Sequence, residues 1–224
     1  MKSSYRTEGW SAIGSGVFGI LAICSLLGYL VLRDTSEAEG ILISRVHDAA
    51  AVFQFILMIP VAFGLRKLSQ KSSGGMSKAI FNTGIVAICF AALFLLLIFP
   101  KIVSDILYMI PQGVFGIWLM IVNWRLKKLI HPFLRWFGIV VGLGLALVGT
   151  FPLGFAIFVN MDSIRIPAAP PMYYPATSAN MFLHQILYTG SFMGVFTLPV
   201  WTILTGRGLL VKSHNAESYP INQK

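Results

Sequence analysis

The stretch of the chain from residue 79 to residue 100 reads AIFNTGIVAICFAALFLLLIFP and contains no charged side chain. An α-helix rises ~1.5 Å per residue, so about 20 apolar residues span the ~30 Å hydrocarbon core of a bilayer. This stretch is long enough to cross. Pro100 ends it, because proline lacks the amide proton that a continuing helix needs. The sequence therefore predicts a transmembrane helix here.

Runs of similar length and composition occur along the whole 224-residue chain. The predicted spans cover residues 11–32, 41–65, 79–100, 102–124, 133–160 and 180–204. Only Pro100 and Lys101 separate the third span from the fourth, which indicates a tight reversal. The predicted fold class is therefore all-α: a polytopic membrane protein in which residues 1–224 form a single six-transmembrane-helix bundle.

The composition excludes a water-soluble globule of this size. Hydrophobic residues make up 56% of the chain and charged residues 11%, and the mean hydropathy is +0.78. Soluble domains carry about 25% charged residues, because a surface in contact with water needs them. A net charge of +9 would suit nucleic acid, but the basic residues form short clusters between the apolar runs. The expected partner is therefore the lipid bilayer, and nucleic-acid binding is not expected.

The distribution of Lys and Arg predicts the orientation, because short cytoplasmic loops are enriched in these residues. Most of the 17 fall before the first span, after the second, after the fourth and after the sixth. Both termini are therefore predicted to be cytoplasmic (N-in/C-in), with residues 207–224 as a cytoplasmic tail. The proline-rich segment 161–179 becomes an outer loop, and the predicted location is the plasma (inner) membrane.

Small residues recur at four-residue spacing in the fifth and sixth spans. The GxxxG pattern and its continuation occur at Gly138, Gly142, Ala146 and Gly149, and again at Gly190 and Gly194. Small residues at this spacing let two helix backbones approach closely inside a bilayer. We expect these faces to pack against other helices of the bundle, and an oligomer formed through the GxxxG faces is the alternative.

Polar and ionisable residues lie near the outer ends of three predicted spans. An ionisable side chain in the hydrocarbon costs about 2.5–3.5 kcal/mol, so it usually faces a partner or a cavity. The residues are Arg45, His47 and Asp48 in the second span, Asp105, Tyr108 and Gln112 in the fourth, and His184, Gln185 and Tyr188 in the sixth. Their similar depth predicts an outward-opening polar pocket between these three spans.

The pocket leads to the first functional hypothesis, the binding or transport of a small ligand or lipid headgroup. The predicted ligand-binding residues are Arg45, His47, Asp48, Asp105, Gln112, His184 and Tyr188. Arg45 would contact an anionic group, while the carboxylates and imidazoles would form hydrogen bonds or carry protons.

Three other interpretations stay open. The chain is a structural or accessory membrane subunit if its polar residues only fix helix packing, for instance through an Arg45–Asp48 pair. It is a membrane-embedded metal-dependent enzyme if His47, Asp48, Asp105 and His184 hold zinc with an open position for water. It is a haem protein if His47 and His184 are axial ligands. No HExxH or phosphate-binding loop supports an enzyme, so whether the chain is one and which cofactor it uses stay unknown.

Overall fold

The computed structural model describes residues 5–32, 37–70, 75–166 and 177–218. Over these ranges the chain consists of helices joined by turns, so the predicted all-α class is confirmed. The α-helices are α1 (Arg6–Leu32), α2 (Glu37–Ser69), α3 (Lys78–Ile98), α4 (Met109–Arg125), α5 (Pro132–Phe158), α6 (Ser178–Gly190) and α7 (Leu198–Ser218). A 3-10 turn at Met161–Ile164 follows α5, and a π-helical turn at Ser191–Val195 lies between α6 and α7.

Five helical segments are long and apolar enough to cross a membrane. They are Arg6–Leu32, Ala38–Ser69, Lys78–Ile98, Pro132–Phe158 and Ser178–His214, the last of which joins α6, the π-helical turn and α7. These segments correspond to the first, second, third, fifth and sixth predicted spans. The remaining helix, α4, has only 17 residues.

The predicted start of the fourth span at Ile102 is wrong, because α4 begins at Met109. Lys101 has a positive φ of 57°, which reverses the chain after Pro100, and turns occupy the residues up to Tyr108. Pro111 gives the physical reason. Inside a helix its ring would clash with the carbonyl of Leu107, whereas proline is tolerated in the first turn. The helix begins two residues before Pro111 and so places it there.

The C-terminal helix also differs from its predicted boundary. The last helix continues to Ser218, well past the predicted end of the sixth span at residue 204 and into the predicted tail. A hydropathy window stops where polar residues begin, although polar residues can extend a helix beyond the hydrocarbon. Residues 167–176 of the predicted outer loop 161–179, and residues 219–224 of the tail, lie outside the described residues.

The helices form a bundle in which sequence neighbours pack against each other, and α1 lies between α2 and α7. One salt bridge and two hydrogen bonds connect the helix ends at which most of the basic residues lie. Lys67 forms a salt bridge with the buried Glu8. Arg125 donates a hydrogen bond to the carbonyl of Gly75, and Lys212 donates one to the carbonyl of Leu129. The basic residues of α2, α4 and α7 therefore meet at one end of the bundle, here called the basic end.

The exposed surface of the bundle is rich in large apolar side chains. Val31 and Phe192 are 72% and 73% exposed, and Ile157 and Phe158 are each 69% exposed. Water-soluble monomers rarely expose contiguous apolar patches of more than a few hundred Å². Such a surface is expected of a helical membrane protein.

The predicted small-residue faces pack inside the chain. A Cβ atom on Gly142 would collide with the carbonyl of Gly116, and one on Gly149 would collide with the backbone of Gly113, so α4 and α5 touch through their backbones. In the same way Gly194 lies against Gly144 of α5. The GxxxG faces considered for an oligomer are thus already covered by helices of the same chain.

The last membrane-length segment changes its winding halfway along. The amide of Phe196 donates to the carbonyl of Ser191, five residues earlier, and the hydroxyl of Thr197 donates to the carbonyl of Met193. Pro199 lies in the first turn of α7, where its missing amide proton leaves no helical bond unmade. Before this turn the segment packs on α5, and after it the segment packs mainly on α1.

Candidate functional site

One face of α2 is turned towards α4. Asp48, Val52 and Phe55 lie four and three residues apart, which places them on the same helix face. The rings of Phe55 and Phe115 meet edge to face, with 6.2 Å between their centroids. The face of α2 that carries Asp48 therefore looks across a gap towards α4, and the two phenylalanines span that gap.

The first turn of α4 carries the buried amide of Gln112. This side chain is 4% exposed, and its Oε1 atom has no hydrogen-bond partner among the described residues. Gln112 precedes Phe115 by three residues, so the two share a face of α4. The amide thus lies one helical turn from the Phe55–Phe115 contact, on the side away from the basic end.

Two carboxylates and a phenol lie further along this gap. Asp48 and Tyr108 each stand seven residues before the phenylalanine of their own element, and α2 and α4 run in the same direction. The two side chains therefore lie at similar height. Asp105 is within electrostatic range of both, and Asp48 is within range of Tyr108. His47, next to Asp48 in the chain, is also within electrostatic range of Asp48 although its ring contacts α1. We call Asp48, Asp105, Tyr108 and Gln112 the acceptor cluster, because carboxylate and amide oxygens dominate it.

His47, a predicted site residue, is turned out of this gap. Its Nδ1 lies 2.8 Å from the carbonyl oxygen of Ala22 in α1, so Nδ1 carries the proton and donates it. Successive residues of an α-helix are separated by ~100° around the axis, so His47 and Asp48 cannot both face α4. The hydrogen bond to Ala22 fixes His47 at the α1–α2 interface.

Arg45 also lies outside the acceptor cluster. Its side chain is exposed, and within the described part of the chain it forms no ion pair with Asp48. The predicted anionic contact through Arg45 therefore has no support in the arrangement of this site.

His184 occupies a third environment. Its ring packs edge to face against Phe151 and Phe155 of α5, with centroids 5.4 and 6.2 Å away. Its Nδ1 donates to the carbonyl of Asn180 one turn earlier, at 2.9 Å. Tyr188 is 68% exposed on the same helix. The polar residues of α6 thus belong to its contact with α5, and the predicted three-helix pocket reduces to a two-helix site.

These placements bear directly on the predicted metal and haem sites. Across the described ranges no three His, Cys, Asp or Glu side chains come close enough together to hold a metal ion. His47, Asp48, Asp105 and His184 are divided among the α1–α2, α2–α4 and α5–α6 interfaces. The two histidines, suggested as axial ligands, face different helices.

The sequence reasoning overlooked a buried acid at the basic end. Glu8 is 6% exposed, lies against Gly64 of α2 and pairs with Lys67. Buried carboxylates need such a partner, because an unpaired charge removed from water is costly. The signal was the position of Glu8 among residues that are otherwise basic.

Cation–π contacts hold other basic residues of that end in place. The guanidinium of Arg66 lies 4.3 Å from the ring centroid of Phe81. That of Arg135 lies 4.9 Å from Trp124 and 4.9 Å from Trp136. Aromatic residues at the water–lipid boundary commonly anchor helix ends.

No family of known proteins, no curated protein and no solved structure matches this chain. The geometry of the acceptor cluster is therefore the basis for a functional proposal.

Proposed function

We propose that this protein is a six-span membrane protein that binds, and by extension transports, a small cationic or hydrogen-bond-donating ligand at the acceptor cluster. The ligand enters from the side opposite the basic end. Both termini are cytoplasmic, and the host membrane is the plasma membrane.

The sixth span in this proposal is α4. Its 17 residues correspond to about 25 Å of helix, which is at the short limit for a transmembrane helix. The extended turns before it place Tyr108 and Asp105 at its outer end, where polar groups are tolerated. The clustering of Lys67, Arg125 and Lys212 at one end supports an orientation with that end in the cytoplasm.

The observation that carries the proposal is the unpartnered Oε1 of Gln112. A buried acceptor without a hydrogen bond costs about 1–3 kcal/mol, so native proteins keep few of them. Here the amide faces the same gap as Asp48. A ligand that donates to Gln112 and carries positive charge towards Asp48 would recover this cost.

The chemistry of the cluster selects the class of ligand. Its oxygen atoms come from two carboxylates, one phenol and one amide, while Arg45 is exposed and forms no ion pair with Asp48 in the described part of the chain. An anion would meet repulsion from the carboxylates, and a cation would meet attraction. The proposal therefore replaces the anionic ligand expected from sequence with a cationic one.

Thermal unfolding of the detergent-purified protein with different salts tests this idea. The probes are sodium, ethylammonium and tetramethylammonium chlorides, with the chloride of the bulky cation N-methyl-D-glucamine keeping the ionic strength constant and the phosphate of the same cation as the anionic comparison. A cation bound at 100 times its Kd stabilises by about 2.7 kcal/mol. We expect at least one cationic probe to raise the midpoint and phosphate to have no effect.

Two carboxylate variants of α2 provide the matched comparison. Asp48→Asn should abolish the cation effect, because it removes a charge from the cluster. Glu39→Gln should preserve it, because Glu39 is exposed and lies nine residues before Asp48, on the opposite face of the helix. If no probe stabilises the protein, or if both variants respond alike, the binding proposal fails and a packing role for the cluster remains.

The orientation has its own test. Reporter domains fused after residue 75 and after residue 166 should report from opposite sides, with the first in the cytoplasm. A reporter after residue 75 that is active outside the cell would refute the orientation without touching the cation result.

A further inference from the structure

A groove runs along the outer surface between α3 and α4, and it has a volume of about 490 Å³. Its α3 wall includes Val86, Phe90 and Phe94, and its α4 wall includes Pro111 and Val114. Val86, Phe90 and Val114 are 52%, 48% and 40% exposed, so the groove opens away from the bundle interior. In a membrane-spanning chain this opening faces the lipid.

The dimensions of the groove limit what it can hold. From Thr83 to Phe94 it follows eleven residues of α3, or ~16 Å at 1.5 Å per residue. Dividing the volume of about 490 Å³ by this length gives a mean cross-section of about 30 Å², so the groove is narrow, and it is open on its lipid side. A flexible hydrocarbon chain can lie along such a groove.

The end of the groove nearest the basic end is polar and cationic. Asn82 and Thr83 line it there. Arg125 follows Val114 by eleven residues, about three full turns, and so lies on the same face of α4. Its guanidinium reaches across to the carbonyl of Gly75 at 3.4 Å, which holds the charge over the entrance between α4 and the start of α3. Lys78 is exposed one turn before Asn82.

We propose that this groove binds one acyl chain of an anionic phospholipid, whose phosphate contacts Arg125 and Lys78. A narrow apolar groove that opens to the lipid suits a lipid tail, and two cations at its polar end favour a negative headgroup over a zwitterionic one. This site lies on a different face of α4 from the acceptor cluster and does not depend on cation binding there.

Native mass spectrometry of the detergent-purified protein tests the proposal directly. The probes are phosphatidylglycerol and phosphatidylcholine with identical acyl chains, added in equal amounts. We expect one phosphatidylglycerol molecule to stay bound, with at least tenfold weaker retention of phosphatidylcholine. Equal retention of the two lipids would overturn the assignment of the headgroup.

Two pairs of variants separate the tail site from the headgroup site. Val114→Trp fills the groove and should remove the bound lipid, whereas Val200→Trp, on the exposed side of α7, should leave it in place. Arg125→Gln should reduce phosphatidylglycerol retention to the level of phosphatidylcholine, whereas Lys127→Gln, also exposed, should not. If Val114→Trp retains as much phosphatidylglycerol as the unmodified protein, the lipid site is refuted. It is also refuted if the protein is a dimer and this variant dissociates it. Arg125→Gln replaces an exposed side chain and removes one exposed hydrogen bond, to the carbonyl of Gly75, so it gives a result even if Val114→Trp folds poorly.

Discussion

Helix α4 has two very different neighbours. Towards α5 it presents Gly113 and Gly116, which touch the backbone at Gly149 and Gly142 with no room for a side chain. Towards α2 it presents Phe115, whose ring meets Phe55. On the same face lies Gln112, whose Oε1 atom has no hydrogen-bond partner in the described part of the chain. The first interface is closed at the level of the backbone, while the second is held apart by aromatic rings.

The difference shows how a bundle combines rigidity with an open site. Backbone contact through glycine gains dispersion energy over many atoms, which matters in a bilayer because burying apolar surface gives little advantage there. Aromatic spacers give up that contact but leave a gap in which polar groups can face each other. In this protein α4 is anchored on α5, so the gap towards α2 can stay open.

The largest effect should come from placing a side chain in the glycine interface between α4 and α5. Gly116→Leu would drive a side chain into the carbonyl of Gly142 and the backbone of Ala146, neither of which can move aside. We expect a loss of at least about 3 kcal/mol in stability, seen as loss of the monodisperse peak in size-exclusion chromatography. Gly208→Ala is the control, because nothing lies within 4 Å of the added atom. If Gly116→Leu behaves like Gly208→Ala, the close α4–α5 contact does not exist in the protein.

A smaller effect should come from removing the aromatic spacer. Phe115→Ala leaves a cavity at a fully buried position and should lower the free energy of unfolding by about 3 kcal/mol. The control Phe158→Ala removes a ring that is 69% exposed and should change stability by less than about 0.5 kcal/mol. Thermal unfolding followed by tryptophan fluorescence compares the two. Equal midpoints would mean that Phe115 does not hold the gap.

The smallest effect should have the opposite sign. Gln112→Leu removes a buried acceptor that has no partner among the residues that the structure describes, so we expect the protein to become more stable by about 1 kcal/mol. It should also lose the response to cations. Gln185→Leu, on the exposed side of α6, should change neither property. A Gln112→Leu variant that is destabilised, with an intact cation response, would place the amide in the packing of the core and outside the site.

Hydropathy was sufficient to predict most of the membrane-length helices. It failed for α4, where the backbone forms turns although the residues are apolar. The residues from Ile102 to Tyr108 are apolar enough for a span, yet they form turns. Pro111 carried the missing information, because a helix that began at Ile102 would place this proline deep in its interior. Proline positions alone would not have been sufficient, because Pro60 and Pro152 lie inside α2 and α5 without ending them.

The site was predictable in part. Asp105 and Tyr108 were expected near Asp48, and the structure puts these three within electrostatic range of one another. The place of Gln112 beside them stays a prediction from its position one turn after Tyr108. The exclusion of His47 could have been predicted, because it is adjacent to Asp48 on a helix and must face another way. The position of His184 could not, because the sequence does not say that α6 packs against the aromatic residues of α5.

The π-helical turn at Ser191–Val195 lets the two halves of one long helical segment pack against different helices. One extra residue in a turn rotates everything after it by ~100° around the axis. The His184 side of α6 can therefore face α5, while the later part turns Trp201 and Leu209 into the protein beside α1. Deleting a single residue here would restore regular winding and point one half of the segment at the wrong neighbour. An insertion or deletion of this size, harmless in most loops, would misassemble the bundle.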